Sequence, residues 1–347
     1  MRAMYARLTA VLVFASAMSS RTASAEQAVP VHEIRLGLFG ACAPSAQVGW
    51  VVGDLGRVYR TADAGKTWTP QEVAGKRPVF SISCPDDQHA WVSSTSGAIF
   101  ATSDGGNTWK AQQTPAKRNL FKVVFTTPQN GTAVGDFGII VHTADGGSTW
   151  TEVPLPADFK LPAAAEDQGV MSNDALLYGL SFADERNGWL SGEWGTILKT
   201  EDGGATWKQQ SSGLETTLFG IGFSDAQHGI AVGMDSVILR TEDGGAAWKP
   251  VPAPVQDRAL YEVAASGRNA WIAGNQGMIL ASNDGGQTWK NFPTPKEVWS
   301  EWFRGIGLRG DHGLVVGGSG KIYAINGQDA VLLNPGTKTA GHSEGHP

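Results

Sequence analysis

Residues 200–209 read TEDGGATWKQ, and the first eight of them recur, with small changes, five more times. The copies are TADAGKTW (61–68), TSDGGNTW (102–109), TADGGSTW (143–150), TEDGGAAW (241–248) and SNDGGQTW (282–289). Their closing tryptophans, Trp68, Trp109, Trp150, Trp207, Trp248 and Trp289, are 41, 41, 57, 41 and 41 residues apart. A constant step with one excess of 16 means one structural unit repeated, plus a single insertion. A period of about 40–45 residues suits a four-stranded propeller blade. The box has a structural task that needs no ligand: its Asp accepts turn amides, its glycines take backbone angles closed to other residues, and its Trp packs on the blade edge. Asp63, Asp104, Asp145, Asp202, Asp243 and Asp284 are therefore expected to be structural, since catalysis has no use for six copies around a ring.

The rest of each unit supplies the strands. Upstream of the boxes lie GWVVGDLGRVYR (49–60), GTAVGDFGIIVH (131–142), GWLSGEWGTILK (188–199) and AWIAGNQGMILA (270–281), each a strand, a glycine-containing turn and a strand. A third run, such as TLFGIGFSD (217–225), precedes them, and a fourth, such as WKPVPAPV (248–255), follows the box. This makes four strands, a to d, with the box as the c–d turn. A seventh unit, 302–325, keeps a to c without a box, and AVLL (330–333) can serve as its d strand. The expectation is an all-β, seven-bladed propeller over 26–334, whose closed ring leaves no long sheet edge exposed. Residues 31–37 are expected to help close it, and the polar tail 335–347 to be disordered.

Composition agrees: of 347 residues 41% are hydrophobic and 17% charged, with 45 Gly and 13 Trp, a globular chain of many tight turns. Residues 1–25 read as a secretory signal peptide: Arg2 and Arg7, the apolar run 8–18, then Ala23-Ser24-Ala25. Cleavage near Ala25 leaves a periplasmic or secreted protein, peripheral to a membrane at most and expected to be a monomer. Removing three arginines and no acid shifts the net charge from −6 to −9, which disfavours nucleic acid as partner. The two cysteines, Cys42 and Cys84, fall on neighbouring inner strands. A disulfide and a pair of small buried residues both remain open.

DGGxTW units are similar to the Asp boxes, or BNR repeats, of sialidases, xyloglucan hydrolases and sorting receptors. With VGxxGxI before the boxes and seven units in about 300 residues, the chain from 36 to 334 most resembles the photosystem II stability/assembly factor-like family. The resemblance implies a non-enzymatic scaffold, without cofactor, that binds a protein partner and assists assembly of a membrane complex in the envelope. Two features of the photosynthetic members are missing. No lipoprotein cysteine follows the leader, and no arginine patch is concentrated, Arg60, Lys199 and Arg240 being spread over three blades.

Enzymatic readings meet a thin inventory. A sialidase needs an RIP motif, which does not occur, and Tyr59, Tyr178, Tyr261 and Tyr323 sit within strand patterns. Xyloglucan hydrolases of this repeat type need two propellers. No metal is expected, because His89, His228 and His312 share one slot with Asn130, Asn187 and Asn269, the a–b turn, where left-handed backbone angles suit Asn and His.

Binding is expected where the repeats differ. Boxes and a–b turns share one face; b–c tips and d–a connections share the other. The tips vary, including Asp136-Phe137 and Glu193-Trp194, and the insertion within 154–176 lies beside them, carrying Phe159. Phe137, Trp194 and Trp299 are candidate anchors for a protein partner, with Phe159, Asp136, Glu193, Lys122, Glu262 and Arg304 as further candidate contacts. Lys122, Glu262 and Arg304 are assigned to one slot near the start of the inner strand, close to the axis on that face, with Glu262 and Arg304 expected to pair. The alternative is a glycan, stacked on Trp194 or Trp299 and bound, or hydrolysed by Asp136 and Glu193 as a carboxylate pair.

Overall fold

The computed structural model describes residues 28–171 and 174–334. The leader and tail expected from sequence lie outside the described residues. Seven sheets follow one another along the chain, each pairing its strands antiparallel in sequence order. Blade one consists of Leu38–Cys42, Gly49–Gly53, Arg57–Thr61 and Thr67–Glu72. The inner strands of the others are Val79–Ser83, Leu120–Phe125, Leu177–Phe182, Leu218–Phe223, Leu260–Ser266 and Phe303–Arg309. The expected seven-bladed propeller with four-stranded blades is what forms.

Its layering follows from burial. Each b strand from blade one to blade five is buried along its whole length, because both of its faces are covered by neighbouring blades. That explains why these runs read as unbroken small and apolar residues rather than alternating ones. The d strands of blades three to six are short and solvated.

Closure uses both ends of the chain. Asp329–Leu332 completes blade seven as its d strand. Val31 and Ile34 are buried between blade-one residues (Val51, Tyr59, Trp68) and blade-seven residues (Leu314, Val316, Ile322). Just before them, Val29–Pro30 adds a fifth strand to the outer edge of blade one. Cys42 and Cys84 are joined, Cα–Cα 6.1 Å, tying the inner strands of blades one and two.

The 16-residue excess does not form an open loop. It carries a short helix, Ala163–Asp167, and buries Phe159, Leu161 and Ala165 in one cluster with Val134, Ile140, Leu190 and Trp207. Gln209 on the outer strand of blade four exchanges two hydrogen bonds with the backbone of Lys160, at 3.0 and 2.7 Å. The insertion is a patch over the seam between blades three and four.

Candidate functional site

On the lower face the boxes satisfy themselves. In the third, Thr143 donates its hydroxyl to Asp145 Oδ1 at 2.8 Å and accepts from the Gly147 N–H at 2.9 Å. Thr149 donates its N–H to Oδ1 at 2.9 Å and its hydroxyl to Oδ2 at 2.6 Å. These Thr149 bonds, the hydroxyl first, hold the Asp145 carboxyl down to about 2. In Asp63, Asp104 and Asp202 burial pushes upward, and the same set of bonds wins and lowers the carboxyl. The box also reaches beyond its own blade edge, which the sequence reading did not foresee. Trp91 and Trp189, on b strands of blades two and four, donate to the box carbonyls of Gly146 and Gly244 in the following blade, at 3.2 and 3.0 Å. Their indoles stack on Phe125 and Phe223 of that blade, with centroids 3.7 and 3.5 Å apart.

The a–b turns are turns for another reason than expected. His89, Asn187 and His228 each donate their N–H to an Asp three residues back, at 2.7, 2.7 and 2.9 Å. Left-handed backbone is absent at all six positions of that slot. Among the described residues no group of three or more His, Cys, Asp or Glu could hold a metal.

The upper face is organised by a bulge. In every inner strand the register with strand b shifts at the second residue, between Leu38 and Gly40 in blade one and between Phe303 and Gly305 in blade seven. A bulge re-aims its side chain, and here all seven face the mouth of the axis. Six are aromatic: Phe39, Phe80, Phe121, Tyr178, Phe219 and Tyr261. Adjacent rings are 5.3 to 6.4 Å apart, edge-on, tilted or stacked. The seventh is Arg304, whose guanidinium lies 4.5 Å over Tyr261 and 5.7 Å from Trp302. Trp302 stacks on Phe39 at 5.4 Å and completes the collar. Residue 37 beside it is glycine, where a Cβ would meet Asp54 Oδ2 at 2.7 Å and the indole at 3.3 Å.

This corrects the sequence alignment by one place. Arg304 belongs to the aromatic slot, and Gly305 is the counterpart of Lys122 and Glu262. The expected pairing changes with it. Glu262 is bonded to Lys122, from blades three and six on opposite sides of the ring, and Arg304 is committed to aromatic faces. The Lys122–Glu262 pair forms the floor of a cup of about 410 Å³ lined by the collar. A second chamber of about 410 Å³ continues below it toward Arg309. Burial pushes the Glu262 carboxyl up, against the pull of the Lys122 ammonium. Burial, with the negative charges of Glu193 and Asp136, pushes the Tyr178 phenol to about 12, so it stays protonated at neutral pH.

The expected anchors divide. Phe137 is 46% exposed at its b–c tip, with Arg118 stacked 4.7 Å over its ring. Trp299 is 55% exposed on the connection between blades six and seven. Leu55 and Met234 stand exposed at two further tips, a signal the sequence reading passed over. Trp194, expected to be exposed, is half-buried against the insertion, and Phe159 is 7% exposed within the core. Phe159 is therefore no surface anchor, while Trp194 leaves part of its ring accessible. Asp136 and Glu193 accept backbone N–H groups of Asn119 and Leu176, at 3.2 and 3.1 Å, and so hold the d–a connections in place.

The sequence matches the family model described as photosynthesis system II assembly factor YCF48, over residues 72–169 and 210–329. The chain belongs to that family. Among solved structures, YCF48 bound to a D1 peptide is 19% identical with a TM-score of 0.68, the match covering 88% of this chain and 96% of that one. YCF48 from Cyanidioschyzon merolae is 22% identical, TM-score 0.67, over 87% and 99%. A virginiamycin B lyase from Staphylococcus aureus is 14% identical, TM-score 0.68, over 86% and 98%. At these identities the structural likeness speaks for the fold alone. A search of curated proteins finds no match.

Proposed function

We propose that this protein is an exported assembly factor that binds a segment of a protein partner on the upper face, without turning it over. The observation that carries the reading is the collar: seven equivalent bulges aim six aromatic rings and one guanidinium at a single cup. A preformed apolar cup with one cationic edge suits an extended peptide, whose side chains stack on the rings while the exposed Arg304 donates to a carbonyl or an acidic group. The exposed Leu55, Phe137, Met234 and Trp299 on the same face extend the contact outward. Family membership supports a protein partner, and a YCF48 structure holds a peptide. Export rests on the leader read in residues 1–25, and a membrane complex in the envelope is the expected source of the partner. Binding is preferred to hydrolysis because both candidate acids are engaged in holding backbone.

The test is affinity capture of the tagged mature protein from gently solubilised envelopes of its host, read by mass spectrometry. A membrane-protein complex recovered with wild type and lost with Phe121→Ala/Tyr261→Ala is the expected result. Equal recovery by a folded double mutant sinks the reading. Recovery of polysaccharide in place of protein hands the cup to a glycan.

A further inference from the structure

Two of the blade interfaces share an arrangement of indole on phenyl that the last one lacks. On the lower face three slots meet: a b-strand residue, its c-strand neighbour, and the residue at the end of the next blade's inner strand. Between blades two and three they hold Trp91, Ala101 and Phe125; between four and five, Trp189, Lys199 and Phe223. Blade five has Ile230 in the indole slot, and there Arg240 reaches across instead, donating to the Gly285 carbonyl at 2.7 Å. Between blades seven and one the three slots hold Leu314, Ala324 and Ala43, all of them small or aliphatic. The missing indole and phenyl leave a cleft of about 260 Å³ walled by these residues and by Ala64, with His312 and Asn326 at its rim.

Ala64 takes the box position of Gly146 and Gly244, whose carbonyls accept the indole N–H elsewhere. Trp68, in the same box, spends its own N–H on the next carbonyl, that of Gly65, at 3.1 Å. Apolar cavities of about 150 Å³ already take up benzene. We propose that the cleft between blades seven and one is a binding site for a planar aromatic ring bearing one N–H donor, an indole seated where the other blades place Trp91 or Trp189. The ring would slide between Leu314 and Ala43 and direct its N–H at the Ala64 carbonyl. It would touch the first and last blades together, so its binding would lock the ring closure by mass action. The site lies on the face opposite the cup and does not depend on the function proposed for the cup.

The experiment is titration of indole into the full mature protein, by calorimetry and by thermal shift. Saturable one-to-one binding is expected, with Kd on the order of a millimolar or tighter, the range small rings reach in a preformed cavity, and a Tm that rises with indole. Leu314→Trp fills the cleft from within and should weaken indole at least about tenfold while raising the Tm of the free protein. Ala43→Phe closes it from the other wall and gives the same answer should Leu314→Trp not fold. N-acetyltryptophanamide run in parallel separates the sources: binding of both compounds points to a tryptophan side chain of a peptide, binding of indole alone to a free heterocycle. Absence of saturable binding by either compound overturns the proposal. So does indole binding that survives both cleft variants, or that vanishes with Phe121→Ala in the cup.

Discussion

The two faces of the ring are made from the same strands and treat their side chains in opposite ways. On the lower face the repeated residues are turned inward: the box carboxylates are satisfied by hydroxyls and amides, and the indoles of Trp91 and Trp189 by the next blade. On the upper face the repeated residues are turned toward an open mouth, and their rings meet one another, Trp302 and Arg304. Repetition is thus no guide to function taken alone. Six copies of a box build the ring, while six copies of an aromatic line a cup. What separates them is whether neighbouring blades cover the side chain or a bulge lifts it free.

That contrast can be broken from either side. Trp189→Ala removes a fully buried indole stacked 3.5 Å from Phe223 and one of the two side-chain donors to the Gly244 carbonyl, the Gln210 amide being the other. A loss of about 3–5 kcal/mol is expected in chemical denaturation, with partner capture unchanged wherever the protein remains folded. Asp202→Ala strips the acceptor from Thr200 and Thr206 and should lose about 1–2 kcal/mol. Asp243→Ala should lose less, because Ala247 stands where the other boxes place a threonine hydroxyl. The box carboxyls carry a pH signature too. Their folded-state values lie below the unfolded one, so their contribution is complete above about pH 4 and is lost as pH falls toward 2, where Asp145 takes up its proton. Denaturation midpoints measured between those limits should drop with pH, and a flat profile would contradict the role assigned to the boxes. The smallest stability effect belongs to the rim: Phe137→Ala/Trp299→Ala should stay within about 0.5 kcal/mol of wild type and still weaken capture. A large stability loss in that pair would mean the rim is part of the scaffold.

Much of the upper face was within reach of the sequence. Phe39, Phe80, Phe121, Tyr178, Phe219 and Tyr261 recur at nearly the spacing of the box tryptophans, and reading that slot for itself would have found the collar. Arg304 was misplaced by one residue because blade seven carries Trp302 and Phe303 in succession, and either can be aligned with the aromatic slot. Phe159 and Trp194 were misjudged because an insertion's composition does not say whether it stands out in solvent or lies down on a seam. That outcome depends on apolar surface such as Val134 and Trp207, far from it along the chain.

The repeat by itself determined the ring: its period, its count of seven, the turn chemistry and the two faces are all local patterns written in one unit and copied. The tertiary structure decided whatever depends on two units at once. The union of Lys122 with Glu262 spans 140 residues, the indole of Trp189 caps the box of the next blade, and the cleft beside Leu314 exists because the first and last blades meet without the indole and phenyl that Trp189 and Phe223 supply between blades four and five. Contacts of that kind are set by where the ring closes in space, and no spacing along the chain encodes it.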